Sequence, residues 1–550
     1  MGNRSPRGKS HPLTVSKVNG HSLAASREPG NRQPRWRSPV LWVTLGGILM
    51  GLTPDPVNAW PLAWIALTPL WWAVLSLPRT VSLWVVFGLG ALWSGIYHGI
   101  ALSWITALHP LTWMGVPWLG SIAIALFAWS FITGLGSVTF GLWALGFRIA
   151  SQHMPLVGRL LMGTALWCAL ETALSWGPLY WPSLSYTQSP HDLWILHLGQ
   201  LAGPMAVTAA IVIVNGCWAE LWHARSRMGK SSQLYWVPAI VGVGLLIGLH
   251  GVGWGLYLQP LSETSSQALK IGLVQGNIPT QIKLTPAGLR QAAQGYAEGY
   301  RELVQQGADA VLTPEGAIPS VWARPYQSQN PVLQAVQSQG VVLWLGTLRS
   351  AIREGERQLT QSLVTLDAQG QVVSQYDKVK LVPLGEYIPL QAVLGRLISR
   401  LSPVDSSLLP GSAHQVFETP FGQAIIGICY ESAYSELFRR QAAQGGEWIM
   451  TASNNDPYPP RMMRQHHAQD VMRAIENNRW AVRVTNTGIS GVVTPHGQTL
   501  WLSRPNEYAT HLAQIYRYQG LTPYARLGNW LPICLGLGAV GLSYIFRTNP

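Results

Sequence analysis

The sequence predicts a multi-pass α-helical membrane domain over residues 39–260, followed by an α/β domain over residues 261–520 and one last span within 521–550. Three observations predict it. Between Val40 and Pro260 only ten residues are charged: Arg79, Arg148, Arg159, Arg225, Arg227, Lys230, Asp55, Glu171, Asp192 and Glu220. Of the 27 tryptophans, 21 precede residue 260, as expected of rings that settle at membrane–water boundaries. From Leu269 onward long apolar runs give way to short ones separated by helical stretches. A chain of 550 residues is also too long for one ordinary core.

In order, residues 1–38 are rich in Arg, Lys, Ser, Gly and Asn without apolar periodicity and read as a disordered basic tail on the cytoplasmic side. Seven apolar runs follow, near 40–54, 58–77, 82–107, 114–146, 156–176, 193–222 and 235–258. All but the first are near or above the roughly 20 residues that cross a bilayer as a helix. If the N-terminus is cytoplasmic and every run crosses, Arg79, Arg148, Arg159, Arg225, Arg227 and Lys230 fall on the cytoplasmic side. The opposite loops then hold Asp55 and Asp192 and no Lys or Arg, a positive-inside pattern that places the domain after residue 260 outside the cytoplasm. An eighth run, 527–546, returns the chain to the basic side, so that both termini are cytoplasmic. Much of the net charge of +13 sits in the tail and inter-helix loops, which argues for membrane orientation and against a nucleic-acid partner.

Within the spans, Glu171 is a functional or helix-pairing carboxylate, or one wetted near a headgroup boundary. His98 and His250 are expected to find partners on neighbouring helices.

Strands are predicted at 269–275, 308–313, 341–346, 423–428 and 447–451, and helices near 286–306, 331–339, 431–444 and 461–478. The turn signal Asp367-Ala-Gln-Gly370 joins two paired strands. Strands alternating with helices give an α/β domain with a largely buried sheet.

Three strand ends carry residues able to do chemistry. The strand at 308–313 runs into Pro314-Glu315-Gly-Ala-Ile-Pro319. A loop punctuated by Pro and Gly sets Lys378 ahead of Glu386 in Tyr376-Asp-Lys-Val-Lys-Leu-Val-Pro-Leu-Gly-Glu386-Tyr-Ile-Pro389. The run Gln423–Ile428 ends at Cys429-Tyr430-Glu431, where a thiol at the mouth of a buried strand is a candidate nucleophile. Each has an ordinary alternative: Glu315 could cap a helix, Lys378 could be a solvated charge, Glu386 could pair with any nearby base, and Cys429 could be core. The other three cysteines, Cys168, Cys217 and Cys534, lie in apolar runs. With no CxxC or HExxH, neither a metal nor a disulfide framework is expected. His466-His467 with Asp470 reads as a solvated helix face rather than as metal ligands.

Taken together, these motifs resemble the nitrilase superfamily, and specifically its membrane branch, the apolipoprotein N-acyltransferases. Val274-Gln-Gly-Asn-Ile-Pro279 and Thr522-Pro-Tyr-Ala-Arg-Leu-Gly-Asn-Trp530 extend the resemblance to the domain's opening and its return to the membrane. The resemblance implies eight transmembrane helices, an αββα nitrilase-like catalytic domain, and a Glu-Lys-Cys triad at Glu315, Lys378 and Cys429. It implies further supporting or substrate-binding roles for Glu386, Tyr430 and Glu431. Leu284, where the family often has Trp, and Gln361-Ser362, where it often has Asn-Ser, are departures that bear on substrate contacts.

The implied reaction moves a fatty acyl chain from a membrane phospholipid to the N-terminal amine of S-diacylglyceryl-cysteine in a lipoprotein. It is a ping-pong scheme through a Cys429 thioester, without cofactor, carried out by a monomer in the bacterial inner membrane with its catalytic domain on the outer face. The residue types suit it: an ammonium beside a thiol lowers its pKa and can face an oxyanion, and a carboxylate can shuttle the protons. The stretch Tyr387–Pro410, with an apolar face and Arg396 and Arg400, is expected either to lie in the interface and gate lipid access or to be a surface helix. A membrane-tethered amidase acting on a small amide is the alternative function, since it would use the same triad. A non-enzymatic transporter or scaffold would not need the three residues intact.

Overall fold

Apolar composition sets the first half of the chain, and one polar residue shows how it holds together. The computed structural model describes residues 37–228, 233–261, 263–322, 329–353, 356–387, 408–456 and 458–548. Residues 39–550 form one unit; the expected tail lies almost wholly outside the described residues, and the expected gating stretch lies largely outside them, at 388–407. Among the described residues five helices are long and apolar enough to cross a membrane: Leu83–Ala101, Trp118–Ser151, Leu156–Trp176, the helix beginning at Pro204, and Val237–Tyr257. Shorter apolar helices occupy 39–51, 60–76, 193–202 and 531–545.

The run at 58–77 is broken between Ala63–Ala66 and Thr68–Ser76. Asn215 stitches the break: its Oδ1 accepts from the Leu67 and Thr68 amides, each at 2.9 Å, and its Nδ2 donates to the carbonyls of Ala63 and Ile211. Irregular backbone among apolar helices persists only when protein groups satisfy it in this way. The run at 193–222, expected as one span, is instead two short helices and the long one from Pro204. Gly203, at φ +66°, turns the chain there, and Pro204 opens the helix that follows.

The tryptophans are not all at boundaries. Trp71, Trp93, Trp143 and Trp167 are fully buried inside the bundle. Glu171 is buried rather than wet, accepting from Ser183 Oγ, Thr208 Oγ1 (3.2 Å) and Trp167 Nε1 (3.2 Å). His250 meets Asp192 across elements at 2.9 Å, as expected, whereas the Nδ1 of His98 is within hydrogen-bond distance of Ser94 one turn earlier on its own helix.

The second half forms two sheets. The strands are β1 Ala268–Gln275, β2 Ala310–Leu312, β3 Ile318–Val321, β4 Val342–Arg353, β5 Glu356–Leu366, β6 Val372–Asp377, β7 Phe417–Thr419, β8 Gly422–Ile428, β9 Trp448–Ser453, β10 Ala481–Thr485, β11 Gly491–Val493, β12 Thr499–Leu502 and β13 Ala509–Tyr516. One sheet runs β13-β1-β2-β4-β5-β6, with β3 on β4; the other runs β12-β11-β10-β9-β8-β7. The inner strands are parallel, buried and mostly apolar, as both-face burial favours. Asp367–Gly370 turns β5 antiparallel onto β6, as the turn signal predicts.

Ile271, Leu273 and Trp344 of the first sheet share a core with Ile426, Ile428, Met450 and Val484 of the second, so the sheets pack face to face. Helices Pro286–Gln305 and Pro331–Gln339 cover the outer side of the first sheet through Tyr296, Tyr300 and Val336. Helices Ser435–Ala443 and Pro460–Asn477 cover the second and share their core with the apolar helices of the first half. The docking is specific as well as apolar. Gln465 donates to the carbonyls of Asp55 and Ala101 and accepts from Trp181, while Arg464 pairs with Asp55 at 2.6 Å.

Candidate active site

The carboxyl ends of β2, β6, β8 and β9 converge, and each delivers its next residues to one point. Cys429 follows β8 directly and sits at φ +53°, a left-handed conformation that costs a non-glycine residue about 1–3 kcal/mol. The surroundings hold it there. His466 Nε2 donates to the Cys429 carbonyl at 2.8 Å, and the Ile428 amide donates to Glu431 Oε2 at 2.7 Å. A nucleophile on such a sharp strand-to-helix turn is pushed out towards its partners.

Glu315 lies just beyond β2 on a turn whose Gly316 has φ +57°. Gly346 of β4 comes so close to the Pro314 carbonyl that a side chain there would collide with it, which lets the turn lie flat against the strand. Lys378 follows β6 directly, fully buried, with its amide on the Gln361 carbonyl at 2.8 Å. Its ammonium donates to Glu315 Oε1 at 2.8 Å and to Glu386 Oε1 at 2.6 Å. Glu386 Oε2 accepts from the Val382 amide at 2.8 Å, which closes the lysine loop on itself.

Asn454, directly after β9, joins the acid to the thiol. Its N–H donates to Glu315 Oε2 at 3.0 Å, and its carbonyl accepts from Cys429 Sγ at 3.7 Å. One residue's backbone thus touches both side chains. Glu315, Lys378 and Cys429 are each no more than 7% exposed, so the charges meet in a dry place.

Electrostatics correct one expectation from the sequence. Burial, and after it the Glu315 carboxylate, push the Cys429 thiol up to about 12, and the opposing pull of Lys378 does not reverse this. Before substrate arrives the sulfur is a thiol, not a thiolate. For Lys378 burial acts downward, but Glu315 and Glu386 outweigh it and hold the ammonium well above the ordinary lysine range. Burial raises Glu386, with Lys378 opposing.

The remaining expected residues separate by contact. Glu431 is fully buried and occupied by the amides of Val379, Lys380 and Ile428 and the hydroxyl of Tyr376. It ties the cysteine turn to the lysine loop, and burial raises it to about 7 against those amides. Tyr430 points to the first half of the chain: its hydroxyl donates to the Pro178 carbonyl and accepts from the Tyr180 amide, both at 2.9 Å. Gln361 is buried beside the lysine strand, and Leu284 is 53% exposed.

His466 and Asp470, expected on a solvated face, are buried, as is His467. Asp470 pairs with Arg483 at 2.5 Å, Arg483 donates to the His466 carbonyl at 3.0 Å, and Asn455 Nδ2 meets His466 Nδ1 at 3.1 Å. His466 therefore braces the cysteine turn. Among the described residues no His, Cys, Asp and Glu cluster could hold a metal ion. Asn454 goes unread in the sequence because it lies in no recognisable motif, and His466 reads there as a solvated residue; the polar spacing on Pro460–Asn477 is the available signal for it.

Two family models match the chain: carbon–nitrogen hydrolase over residues 270–515, and the apolipoprotein N-acyltransferase N-terminal domain over 46–217. Among curated relatives, an apolipoprotein N-acyltransferase of Nostoc sp. is 50% identical, covering 91% of this chain and 98% of its own. That of Synechocystis sp. is 43% identical, covering 88% and 96%, and that of Pseudomonas aeruginosa 28%, covering 90% and 94%. Among solved structures, Saccharomyces cerevisiae Nit3, a member of branch 10 of the nitrilase superfamily, is 18% identical over 46% of this chain and 93% of its own, with a TM-score of 0.36. The relatives align across the apolar helices as well as the two-sheet domain, and on that ground the chain belongs to the apolipoprotein N-acyltransferase family.

Proposed function

We propose that this chain transfers a fatty acyl group from a membrane phospholipid to the N-terminal amine of S-diacylglyceryl-cysteine in lipoproteins, with Glu315, Lys378 and Cys429 as its catalytic residues. One observation carries the reading: a buried Glu315–Lys378 pair linked through a single residue, Asn454, to the Cys429 thiol.

The chemistry follows from that geometry. Glu315 takes the thiol proton as Cys429 Sγ attacks the donor's ester carbonyl. Lys378 faces the oxyanion that develops, and such preorganised charge is worth about 3–4 kcal/mol in a dry site. Collapse breaks the ester C–O bond, Glu315 returns the proton to the departing lysophospholipid oxygen, and a thioester remains on Cys429. In the second half the acceptor amine attacks the thioester carbonyl and Glu315 accepts a proton from the nitrogen. The C–S bond then breaks and the sulfur recovers the proton. Because the resting sulfur is a thiol, proton removal and attack are coupled, which limits idle reactivity. Glu386 shares Lys378 and holds it in place; Glu431 and Tyr430 support the site from behind and from the membrane side.

The apolar helices serve the substrates, both of which carry acyl chains. We read the helical half as residues 39–260, with eight passes in all. The contacts that support this alternate: Asp55, Ala101, Ser103 and Trp176 lie at helix ends that meet the catalytic domain. Arg148 instead binds the carbonyls of Val74, Leu77 and Pro78 at the other ends. With basic residues inside, the domain at 261–520 faces outward from a bacterial inner membrane. A monomer suffices, since every group used lies on one chain. The amidase alternative leaves the helices and the docked face without a task.

Mass spectrometry tests the scheme. Incubation with phospholipid alone should add one acyl mass to Cys429, absent in Cys429→Ala and discharged by a diacylglyceryl-peptide amine. Turnover without such an adduct would reject the thioester.

A further inference from the structure

One cation beside the triad is unused by the chemistry above. Lys283 ends a short helix, Thr280–Lys283, and is only 6% exposed. Its ammonium donates to the Glu315 carbonyl at 3.2 Å, the one hydrogen bond it makes among the described residues. An ammonium carries three donors, so two remain. The other lysines nearby are spent: Lys378 on two carboxylates, and Lys380 on the Trp176 carbonyl and the Tyr434 ring.

Charge around the sulfur is one-sided without Lys283. Glu315 and Glu386 share the single cation Lys378, and Asp456 stands close by, accepting from the Thr280 amide at 2.6 Å. Lys283 is the second cation set against these three carboxylates. Through Glu315, whose carboxylate accepts from the Asn454 amide while the Asn454 carbonyl accepts from Cys429 Sγ, Lys283 stands close to the reacting sulfur. Its neighbours Ile282 and Leu284 are exposed apolar side chains of 37% and 53%. The loop that holds Asp456 also carries Tyr458, whose ring lies 5.4 Å from Trp104 of the helical half. The turn is thus bonded to a loop that reaches the helical half, and it sets exposed apolar side chains on either side of a buried cation.

We propose that Lys283 receives the phosphodiester of the acyl donor, which lies one glycerol unit from the ester that Cys429 attacks. The assignment rests on the reading of Cys429 as nucleophile. It gives the turn containing Leu284 a role in donor selection, with the ammonium reading the phosphate and the flanking side chains meeting the lipid.

The test compares two donors that differ in charge and one methyl group: phosphatidylmethanol and its neutral dimethyl triester, in detergent micelles. Single-turnover acylation of Cys429 is followed by intact mass. Wild type should favour the anionic donor by about tenfold in apparent KM, the worth of a charge-assisted hydrogen bond. Lys283→Met should handle both donors alike, and Lys283→Arg should restore most of the preference. Burial holds the Lys283 ammonium down to about 8 against Glu315, Asp456 and Cys429, so the anionic donor's KM should climb above pH 8 in wild type and stay flat in Lys283→Arg. Equal use of both donors by wild type overturns the proposal whether or not the variants fold, as does a preference that survives in Lys283→Met. Absence of any adduct in wild type would instead strike the nucleophile reading.

Discussion

Among the described residues of the two-sheet domain, two networks of buried charge are built differently. On helix Pro460–Asn477 and strand β10 acids and bases pair one to one: Arg473 with Glu476 at 2.7 Å, and Asp470 with Arg483 at 2.5 Å, all four essentially without solvent. At the proposed triad two carboxylates share one lysine, beside a cysteine in a left-handed conformation whose thiol is pushed up by burial. The paired network neutralises its charges and fixes the domain against the membrane helices through Tyr186. The shared one leaves an acid with a hydrogen-bonding oxygen turned towards the sulfur's neighbour, Asn454. Balance gives structure; imbalance held rigidly gives a site able to move protons.

Either variant strips buried carboxylates of their base and should lower stability, so the two networks should separate in rate. Lys378→Met should lower the single-turnover acylation rate by about 10²–10³-fold, the cost of losing an oxyanion donor. Some helical content and docking should survive, read by circular dichroism. Arg473→Met should lower stability without that loss of rate. Leaving Glu476 buried and unpaired costs about 3–5 kcal/mol of stability, seen as a much lower midpoint in detergent melts. The protein that stays folded should keep its acylation rate within a few-fold. If both variants lose rate and stability in the same proportion, the distinction between the networks fails.

The thiol sharpens the contrast further. Because Cys429 is pushed up to about 12, alkylation by iodoacetamide without substrate should rise about tenfold per pH unit from 6 to 9, following the thiolate fraction. A plateau near neutral pH would mean that Lys378 dominates the sulfur and that the site rests as an ion pair.

Much of this was legible beforehand, for identifiable reasons. Chemistry-bearing residues at strand ends are local signals, so Glu315, Lys378 and Cys429 could be named, as could the β5–β6 turn. Apolar runs located the helices, but run length could not reveal the break at Leu67, which the distant Asn215 satisfies, or the turn at Gly203. The same limit hid His466. Its neighbours at 467 and 470 looked like a wet face, and only the packing of that helix between a sheet and the membrane helices makes them interior. The sign of the thiol's shift was missed because spacing shows an ammonium nearby but not how much water has left.

The smallest expected effect concerns how the two halves meet. Tyr430 stands directly beside the nucleophile in sequence, yet its hydroxyl is spent on Pro178 and Tyr180 across the domain boundary. Its ring stacks on Trp181, at 6.2 Å between centroids. If its part is to dock the cysteine turn onto the helices, Tyr430→Phe removes two hydrogen bonds and keeps the stack. The melt should then fall by about 1–2 kcal/mol equivalent. Acylation from a short-chain, water-soluble thioester should stay within two- to threefold, since the triad's own contacts do not pass through the hydroxyl. A loss of a hundredfold or more with an unchanged melt would instead put that hydroxyl among the groups that touch substrate. The boundary between the charge network that reacts and the surroundings that hold it would then have to be redrawn to include the membrane-facing loop.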